Sequence, residues 1–171
     1  MVLAPFMGLD LVPGWGTSQY TVDFDLAGLF FGPMGLSSLI PYALISGAAR
    51  DAGNTGNTTV LRPGLVMAQL TASPGKWVQF TSGASDGSQY ARGVLSNLGL
   101  NTQAQGADAD RYLASIVAFG NLNPEAVCLG TSATYGLARS GVGLTVRKHL
   151  KYNIRFSDDI VGDLIDPLSG R

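Results

Sequence analysis

The sequence predicts a mainly β fold: a small compact β-barrel or β-tulip-like domain with an extended N-terminal arm and short helical pieces. Two observations support this prediction. The 171 residues include 23 Gly and 8 Pro, and the apolar runs between them are short and often β-branched or aromatic. Runs of this kind are typical of short strands joined by tight turns. A chain of this length can bury roughly two-thirds of its unfolded surface, enough for a core without metals or disulfides.

Changes in composition divide the chain into three segments, 1–25, 26–59 and 60–171. Gly and Pro forbid a helix in segment 1–25, which we predict to be an arm. Within this arm, polar and apolar residues alternate from Tyr20 to Phe24, which predicts a short strand. Segment 60–171 is predicted to be the β-rich domain.

Segment 26–59 begins with an uncharged stretch rich in Gly and Pro and ends in a polar loop at 51–59. The uncharged stretch is long enough to raise the question of a membrane span, but its prolines and glycines interrupt any smooth helix of that length. We expect irregular buried or interface structure, packed on the domain or inserted in it. A helical piece is predicted from Ser37 to Ala49, interrupted at Pro41.

The β-rich segment is predicted to be a series of short strands. Gly64 follows Pro63, a pairing that turns the chain between two strands, and Asp86-Gly87 is a turn dipeptide. The predicted order is strand–turn–strand over 60–71, a turn at 73–76, a strand at 77–80, a loop at 82–89, a strand at 91–95, a polar loop at 96–110, a strand at 112–119, a strand at 126–130, a short helix or turn at 131–140 and a strand at 143–147.

The charge content points to association with other proteins. Hydrophobic residues make up 46% of the chain and charged residues 13%, about half the usual charged share. A monomer with so few charges would expose apolar patches, which usually mark association sites. The net charge of −1 does not indicate the clustered basic surface that nucleic-acid binding requires. The basic run that starts at Arg147 is soon followed by Asp158 and Asp159, so the two runs are expected to pair or to be solvated.

The residues that usually carry catalysis are scarce. His149 is the only histidine and Glu125 the only glutamate, and nothing marks a carboxylate partner for a triad. Cys128 is the only cysteine and lies in an apolar run, where it is predicted to be a small core residue. Asp108 and Asp110 have the spacing of a weak cation-binding motif, but we expect them to lie in a solvated loop. We therefore predict a non-enzymatic protein without metal or cofactor.

An ordered series of short motifs resembles the head decoration proteins of tailed bacteriophages, the lambda type. The series spans residues 60–130 and its strength lies in the order of its pieces. Asp86, Gly87, Ser88 and Gln89 match the family's loop between two strands. The other matching pieces lie at 61–68, 71–72, 75–77, 93–95, 119–120 and 123–127.

The resemblance implies a structural virion protein that cements the capsid. Such proteins form homotrimers on the outside of the expanded head at three-fold positions, contact the major capsid protein and stabilise the shell against DNA pressure. The chain would be made in the bacterial host cytoplasm and bind neither membrane nor specific nucleic acid. The arm of such proteins adds a strand to the capsid protein, and packing of the arm on its own trimer stays open. The candidate capsid contacts are Phe6, Leu9, Trp15, Tyr20, Val22 and Phe24.

Three alternatives remain. Another phage structural subunit, a head–tail connector or tail-tube protein, would form rings or stacked hexamers. A small enzyme or a small-ligand-binding β-barrel would need a concave pocket with convergent polar groups. A membrane-active capsid or spike protein is suggested only by the uncharged stretch 26–49.

Overall fold

The computed structural model describes residues 28–30, 38–73, 75–96, 100–102 and 108–159. These residues are mainly β, with few helices, which confirms the predicted fold class. The predicted arm, 1–25, lies outside the described residues. The elements are β1 (Ser38–Ile45), β2 (Val60–Leu61), β3 (Val66–Gln69), β4 (Lys76–Gln79), β5 (Ala91–Leu95), β6 (Leu100–Asn101), β7 (Arg111–Leu122), a 3-10 helix (Pro124–Ala126), α1 (Gly141–Leu150) and β8 (Ile154–Phe156).

Five strands close into a barrel in the order β1-β4-β3-β5-β7, because β7 pairs back with β1. The β1–β4 pair is parallel, and the other pairs of the barrel are antiparallel. β8 joins the far end of β7 in parallel, and β2 pairs separately with β6. Closure leaves the barrel strands few open edges, which is how small β proteins avoid edge-to-edge association.

Alternate residues of the strands build two cores, since successive side chains point to opposite faces. The interior of the barrel is filled by a cluster to which all five strands contribute, including Ile45, Met67, Leu95 and Ile116, each with no exposed surface. Burial of an aliphatic side chain of this size stabilises the fold by about 1.5–3 kcal/mol. The interior core is therefore a main source of the barrel's stability.

A second core lies on the outside of β3, β5 and β7. Val66, Val94 and Val117 alternate with the interior residues and pack against α1 and β8. α1 buries four residues, Gly143, Val146, Arg147 and Leu150, and this i, i+3, i+4, i+7 spacing places them on one helical face. The helix and β8 together cover this side of the barrel.

Two predicted elements are replaced by an element of the opposite type, a helix by a strand and a strand by a helix. The predicted helical piece from Ser37 to Ala49 contains the strand β1 instead, because Ala43 and Ile45 complete the interior of the barrel. The predicted strand at 143–147 is part of α1, because the spacing of its buried residues follows the helical period of 3.6. In both cases tertiary packing overrides the local propensity.

The other predicted elements agree more closely. The strand at 91–95 has the predicted bounds, and the strands at 77–80 and 112–119 correspond to β4 and β7. The predicted strand at 126–130 is wrong: a 3-10 turn ends at Ala126, and Cys128 makes only an isolated bridge to Leu65. The predicted loop at 96–110 includes the two residues of β6.

Candidate interaction surface

The seam between β1 and β7 is irregular, and its irregularities project aromatic side chains outward. Ile40 pairs with Ile116 and Ala43 with Ala114, so β1 has one residue more than β7 between these pairs. This extra residue is a β-bulge, and within it Tyr42 has φ +54°. Among the described residues, Tyr42 is the one non-glycine residue with positive φ. This conformation costs an L-residue with a bulky side chain roughly 1–2 kcal/mol.

A compensating irregularity follows on β7. Ala43 pairs with Ala114 and Ile45 with Arg111, so here the extra residue belongs to β7, next to Tyr112. The side chains of Tyr42 and Tyr112 are 75% and 63% exposed. Ile40 and Phe119, on the same two strands, are also exposed large hydrophobic residues. We refer to Ile40, Tyr42, Tyr112 and Phe119 together as the tyrosine face.

An open groove of about 440 Å³ runs beside the tyrosine face. It lies where β1 and β4 diverge, and Pro41, Tyr42, Gln69, Trp77 and Tyr112 contribute to its lining. Among the described residues that line it, none has a charged side chain. The groove therefore suits an uncharged, partly aromatic partner.

Of the site residues predicted from sequence, the capsid-contact candidates lie outside the described part of the chain: Phe6, Leu9, Trp15, Tyr20, Val22 and Phe24. The family-pattern loop, 86–89, is described and joins β4 to β5. Asp86 Oδ1 accepts hydrogen bonds from the backbone N–H and the hydroxyl of Ser88, at 3.0 and 2.6 Å. These hydrogen bonds hold the pKa of Asp86 below its ordinary value.

The same loop is tied to the end of β3. The backbone N–H and the hydroxyl of Thr71 donate to the carbonyl of Asp86, at 2.8 and 2.9 Å. Gly87 has φ +104°, and a Cβ there would lie 2.5 Å from the carbonyl oxygen of Gln69. The polar groups of Asp86 and Ser88 are thus engaged within the molecule, and the loop acts as a turn in the β4–β5 connection that is tied to the end of β3.

The buried charge of Asp51 is also engaged in structure. Asp51 has no exposed surface and accepts from Arg62 Nε and Nη2 at 2.6 and 2.9 Å. Arg62 Nη2 also donates to the carbonyl of Ser132 at 2.6 Å. The hydrogen bond to Asp51 raises the pKa of the Arg62 guanidinium, and burial raises the pKa of the nearby Cys128 thiol to about 12. At neutral pH Cys128 is a protonated core residue, in agreement with its predicted place in the core.

A second ionic cluster clamps α1 to the chain that follows β8. Arg147 donates to Asp158 at 2.9 Å and to Asp159 at 3.2 Å, and its guanidinium lies over the ring of Phe156, 4.7 Å from the centroid. Burial would raise the pKa of Asp158, but hydrogen bonds from Arg147 and Arg139 outweigh it and hold the pKa below its ordinary value. The basic and acidic runs of the sequence therefore pair, one of the two outcomes expected.

The two aspartates of the weak cation motif, Asp108 and Asp110, also have structural partners. Asp108 pairs with Arg50 at 2.6 Å, and Asp110 pairs with Lys76 at 2.7 Å. The hydrogen bond from Lys76 holds the pKa of Asp110 below its usual value. The two aspartates are thus ion-paired rather than simply solvated. Across the described ranges, no three His, Cys, Asp or Glu side chains form a group that could hold a metal ion.

His149, on α1, contacts the barrel wall. Its Nδ1 accepts a hydrogen bond from the backbone N–H of Ala91 at 3.2 Å. Its ring lies 6.2 Å from the ring of Phe80 and 5.7 Å from that of Tyr90. These contacts connect α1 to β5.

No family model matches this chain, and a search of curated proteins found no match. The described residues contain no helix long and apolar enough to span a membrane.

The tyrosine face was missed by sequence reasoning. Tyr42 fell within the predicted helical piece, and Tyr112 fell at the start of a predicted strand without any assigned role. Only the opposed bulges expose both side chains, and a bulge depends on the pairing of two strands far apart in sequence. A proline within an apolar segment, Pro41, was the one available hint of an irregular strand.

Proposed function

We propose that this chain is a capsid decoration protein of a tailed bacteriophage. It binds as a homotrimer to the major capsid protein, on the outside of the expanded head at three-fold positions. Its role is mechanical, because a trimer that bridges neighbouring capsomers resists their separation under the pressure of packed DNA. It acts as a structural virion subunit, without cofactor, nucleic-acid or membrane partner.

The observation that carries this proposal is the tyrosine face. Two tyrosines, an isoleucine and a phenylalanine stand exposed on adjacent strands of a chain with only 13% charged residues. Aromatic residues are enriched at the centres of protein interfaces, where charged residues are depleted. A surface of this composition supports association with protein subunits.

The backbone of Tyr42 adds a second argument. Strained conformations persist where the surrounding structure enforces them, and they cluster at functional sites. Bulges similarly re-aim side chains near such sites. Tyr42 keeps this strained backbone conformation although the interior residues of the same strand, Ala43 and Ile45, are well packed. The pairing of β1 with β7 thus holds the side chain of Tyr42 outward at a cost in conformational energy.

The ordered motif series at 60–130 connects this surface to the decoration role. Its matched pieces lie on β2, β3, β4 and β5, in the loop 86–89, near the end of β7 and on the 3-10 helix. In a closed shell, many modest interfaces act together through high effective concentration and symmetry. A small barrel with one apolar face is sufficient for this task.

The test is the mass of the purified protein by light scattering, followed by co-sedimentation with expanded, undecorated heads. We expect a trimer that pellets with heads at about one trimer per three-fold site. The double variant Tyr42→Asn/Tyr112→Asn should lower head affinity by about tenfold or more. Tyr152→Asn is the matched control, because Tyr152 is 82% exposed on the turn between α1 and β8.

The alternatives give different results in this experiment. A ring-sized oligomer that does not bind heads would indicate a connector or tail-tube subunit. A monomer that does not bind heads would contradict the decoration role altogether.

A further inference from the structure

The basic run of the sequence is only partly neutralised in the fold. Its first cation, Arg147, pairs with the aspartates that follow β8. Lys148, Lys151 and Arg155 are exposed, and no ion pair joins them to a described carboxylate. We refer to these three residues as the basic patch. The net charge of the whole chain, −1, conceals this local excess of positive charge.

The three cations of the basic patch are close enough to act on one partner. Lys151 is the C-cap residue of α1 and keeps a helical backbone, with φ −51° and ψ −24°. Lys148 is three residues before it, so the two side chains are neighbours on the helix surface. Arg155 follows Lys151 by four residues, and even an extended chain would separate their Cα atoms by at most about 14 Å. Long side chains reduce this separation further.

Arg155 lies beside the tyrosine face. It pairs with Asn121 of β7, and residues paired across two strands share one face of the sheet. Phe119, which belongs to the tyrosine face, is two residues before Asn121 on β7 and therefore lies on that same face. A strand spacing of about 4.8 Å and a rise of about 6.6 Å over two residues place Phe119 and Arg155 roughly 8 Å apart. The basic patch thus adjoins the tyrosine face at Phe119.

Stabilisation of α1 explains only part of the basic patch. Cations in the last turn of a helix interact favourably with its dipole, which accounts for Lys148 and Lys151. Arg155 belongs to β8, and its neighbours Ile154 and Phe156 are buried in the outer core while Arg155 itself is exposed. The helix dipole therefore gives no reason for a cation at Arg155.

The shape of the basic patch favours a protein partner over a nucleic acid. Binding along a phosphate backbone needs an extended track of Lys and Arg. Here the cations end at Arg155, and Asp158 and Asp159 follow with side chains that are 36% and 46% exposed. A phosphate backbone that continued in this direction would meet these carboxylates. A few carboxylates on a protein surface match a patch of this size.

A second copy of the chain does not offer the matching surface in its described part. The described carboxylates outside ion pairs are Asp86 and Glu125, which lie on the loop 86–89 and on the 3-10 helix. Asp86 also accepts hydrogen bonds from Ser88. These two residues are not an acidic cluster, so the charge of the basic patch is complementary to a different protein.

We propose that the basic patch binds carboxylate groups on the major capsid protein, next to the contact made by the tyrosine face. This inference rests on the proposed function and specifies the charge of the capsid surface that is bound. Protein interfaces commonly surround an apolar centre with a polar rim, and rim charges steer association and fix orientation. Tyr152→Asn leaves all three cations in place, so it remains a control for the tyrosine face.

Co-sedimentation with expanded, undecorated heads at two salt concentrations tests the proposal. The triple variant Lys148→Gln/Lys151→Gln/Arg155→Gln should bind heads about tenfold more weakly than wild type at about 50 mM NaCl. At about 500 mM NaCl the difference should fall below about twofold, because salt screens exposed charges. Arg155→Lys keeps the charge and should bind like wild type. Light scattering and urea unfolding establish that the variants assemble and fold like wild type.

The matched control changes the net charge equally at another place. Thr55→Asp/Asn57→Asp/Thr58→Asp lowers the charge by the same amount as the triple variant, at exposed residues of the polar loop 51–59. The described hydrogen bonds of this loop do not reach α1 or β8. We expect its head affinity to stay within about twofold of wild type at both salt concentrations.

Four results would overturn the proposal. If wild type pellets with heads and the triple variant pellets equally at low salt, the basic patch does not face the capsid, and the decoration role still stands. A loss that persists at high salt would show that the contact does not depend on charge. Tighter patch-dependent binding to duplex DNA than to heads would identify a nucleic-acid partner. Patch-dependent self-association of the free protein at low salt would identify a second copy. Wild type that ignores heads would instead contradict the decoration role itself, and this contact with it.

Discussion

The two sides of the barrel differ in how their outward-facing residues are covered. Over β3, β5 and β7, the outward valines are buried under α1 and β8. Along the seam between β1 and β7, by contrast, the large hydrophobic residues Ile40, Tyr42, Tyr112 and Phe119 are exposed. Both sides share one interior core, so the fold itself does not require the difference. The covered side contributes stability, whereas the open side is available for binding.

The largest expected effect comes from removing one phenylalanine ring on each side of the barrel and comparing the losses of stability. Phe156→Ala, on the covered side, should lower the free energy of unfolding by about 3–5 kcal/mol because a fully buried ring is lost. Phe119→Ala, on the open side, should change it by less than about 0.5 kcal/mol. Urea unfolding of both variants measures this. Equal losses would show that the open side is as tightly packed as the covered one.

A smaller effect is expected where α1 meets the loop before it. A Cβ on Gly143 would lie 2.3 Å from the carbonyl oxygen of Ala138, which is backbone and cannot simply rotate away. Gly143→Ala should therefore destabilise the protein by about 1–3 kcal/mol, although alanine is the better helix former. Thr145→Ala, on the exposed face of α1, is the control. A stabilising Gly143→Ala would contradict the close contact of α1 with this loop.

The strain at Tyr42 is expected to give a change of opposite sign. Asparagine tolerates positive φ better than tyrosine, so Tyr42→Asn should raise the free energy of unfolding by up to about 1 kcal/mol. Tyr112→Asn, at a residue without positive φ, should not. Thermal and urea unfolding measure both. Loss of stability in Tyr42→Asn would show that the tyrosine side chain makes contacts worth more than its backbone strain.

The smallest effect concerns the ionic cluster that clamps the covered side. The folded pKa of Asp158 lies below the unfolded value, so its contribution to stability is present at neutral pH and is lost as the pH falls through the folded pKa. The urea midpoints of wild type and Asp158→Asn should differ equally at pH 7 and pH 5. Below about pH 4, the usual range for aspartate, the difference should shrink. A constant difference down to pH 3 would show that the charge of Asp158 contributes nothing.

The sequence predicts the parts of this fold that local chemistry determines. Ala91 to Leu95 was assigned correctly because it is bounded by polar residues, and the turn at Asp86-Gly87 follows from its own hydrogen bonds. α1 was readable in principle, since its buried residues recur with a helical period, but its β-branched residues favoured a strand. The local preference of Thr145 and Val146 for a strand is overridden by the packing of the helical face, which explains the incorrect prediction.

The open side could not be predicted in the same way. The exposure of Tyr42 and Tyr112 depends on two opposed bulges between strands that are distant in sequence. The clamp between Arg147 and Asp158 was foreseen only as one of two outcomes, because charge order alone does not specify whether the runs meet. Pairing register and long-range packing decide both features, and neither is local.

The seam between β1 and β7 also has a consequence for the order of folding. β1 is the first strand of the barrel in sequence, and its partner β7 begins only at Arg111. Ribosomes add roughly 5–20 residues per second, so a nascent β1 waits several seconds for its partner. During that time Pro41 and the bulge at Tyr42 interrupt an otherwise apolar strand. We therefore expect the same irregularity that presents the tyrosines to disfavour aggregation of the newly made chain.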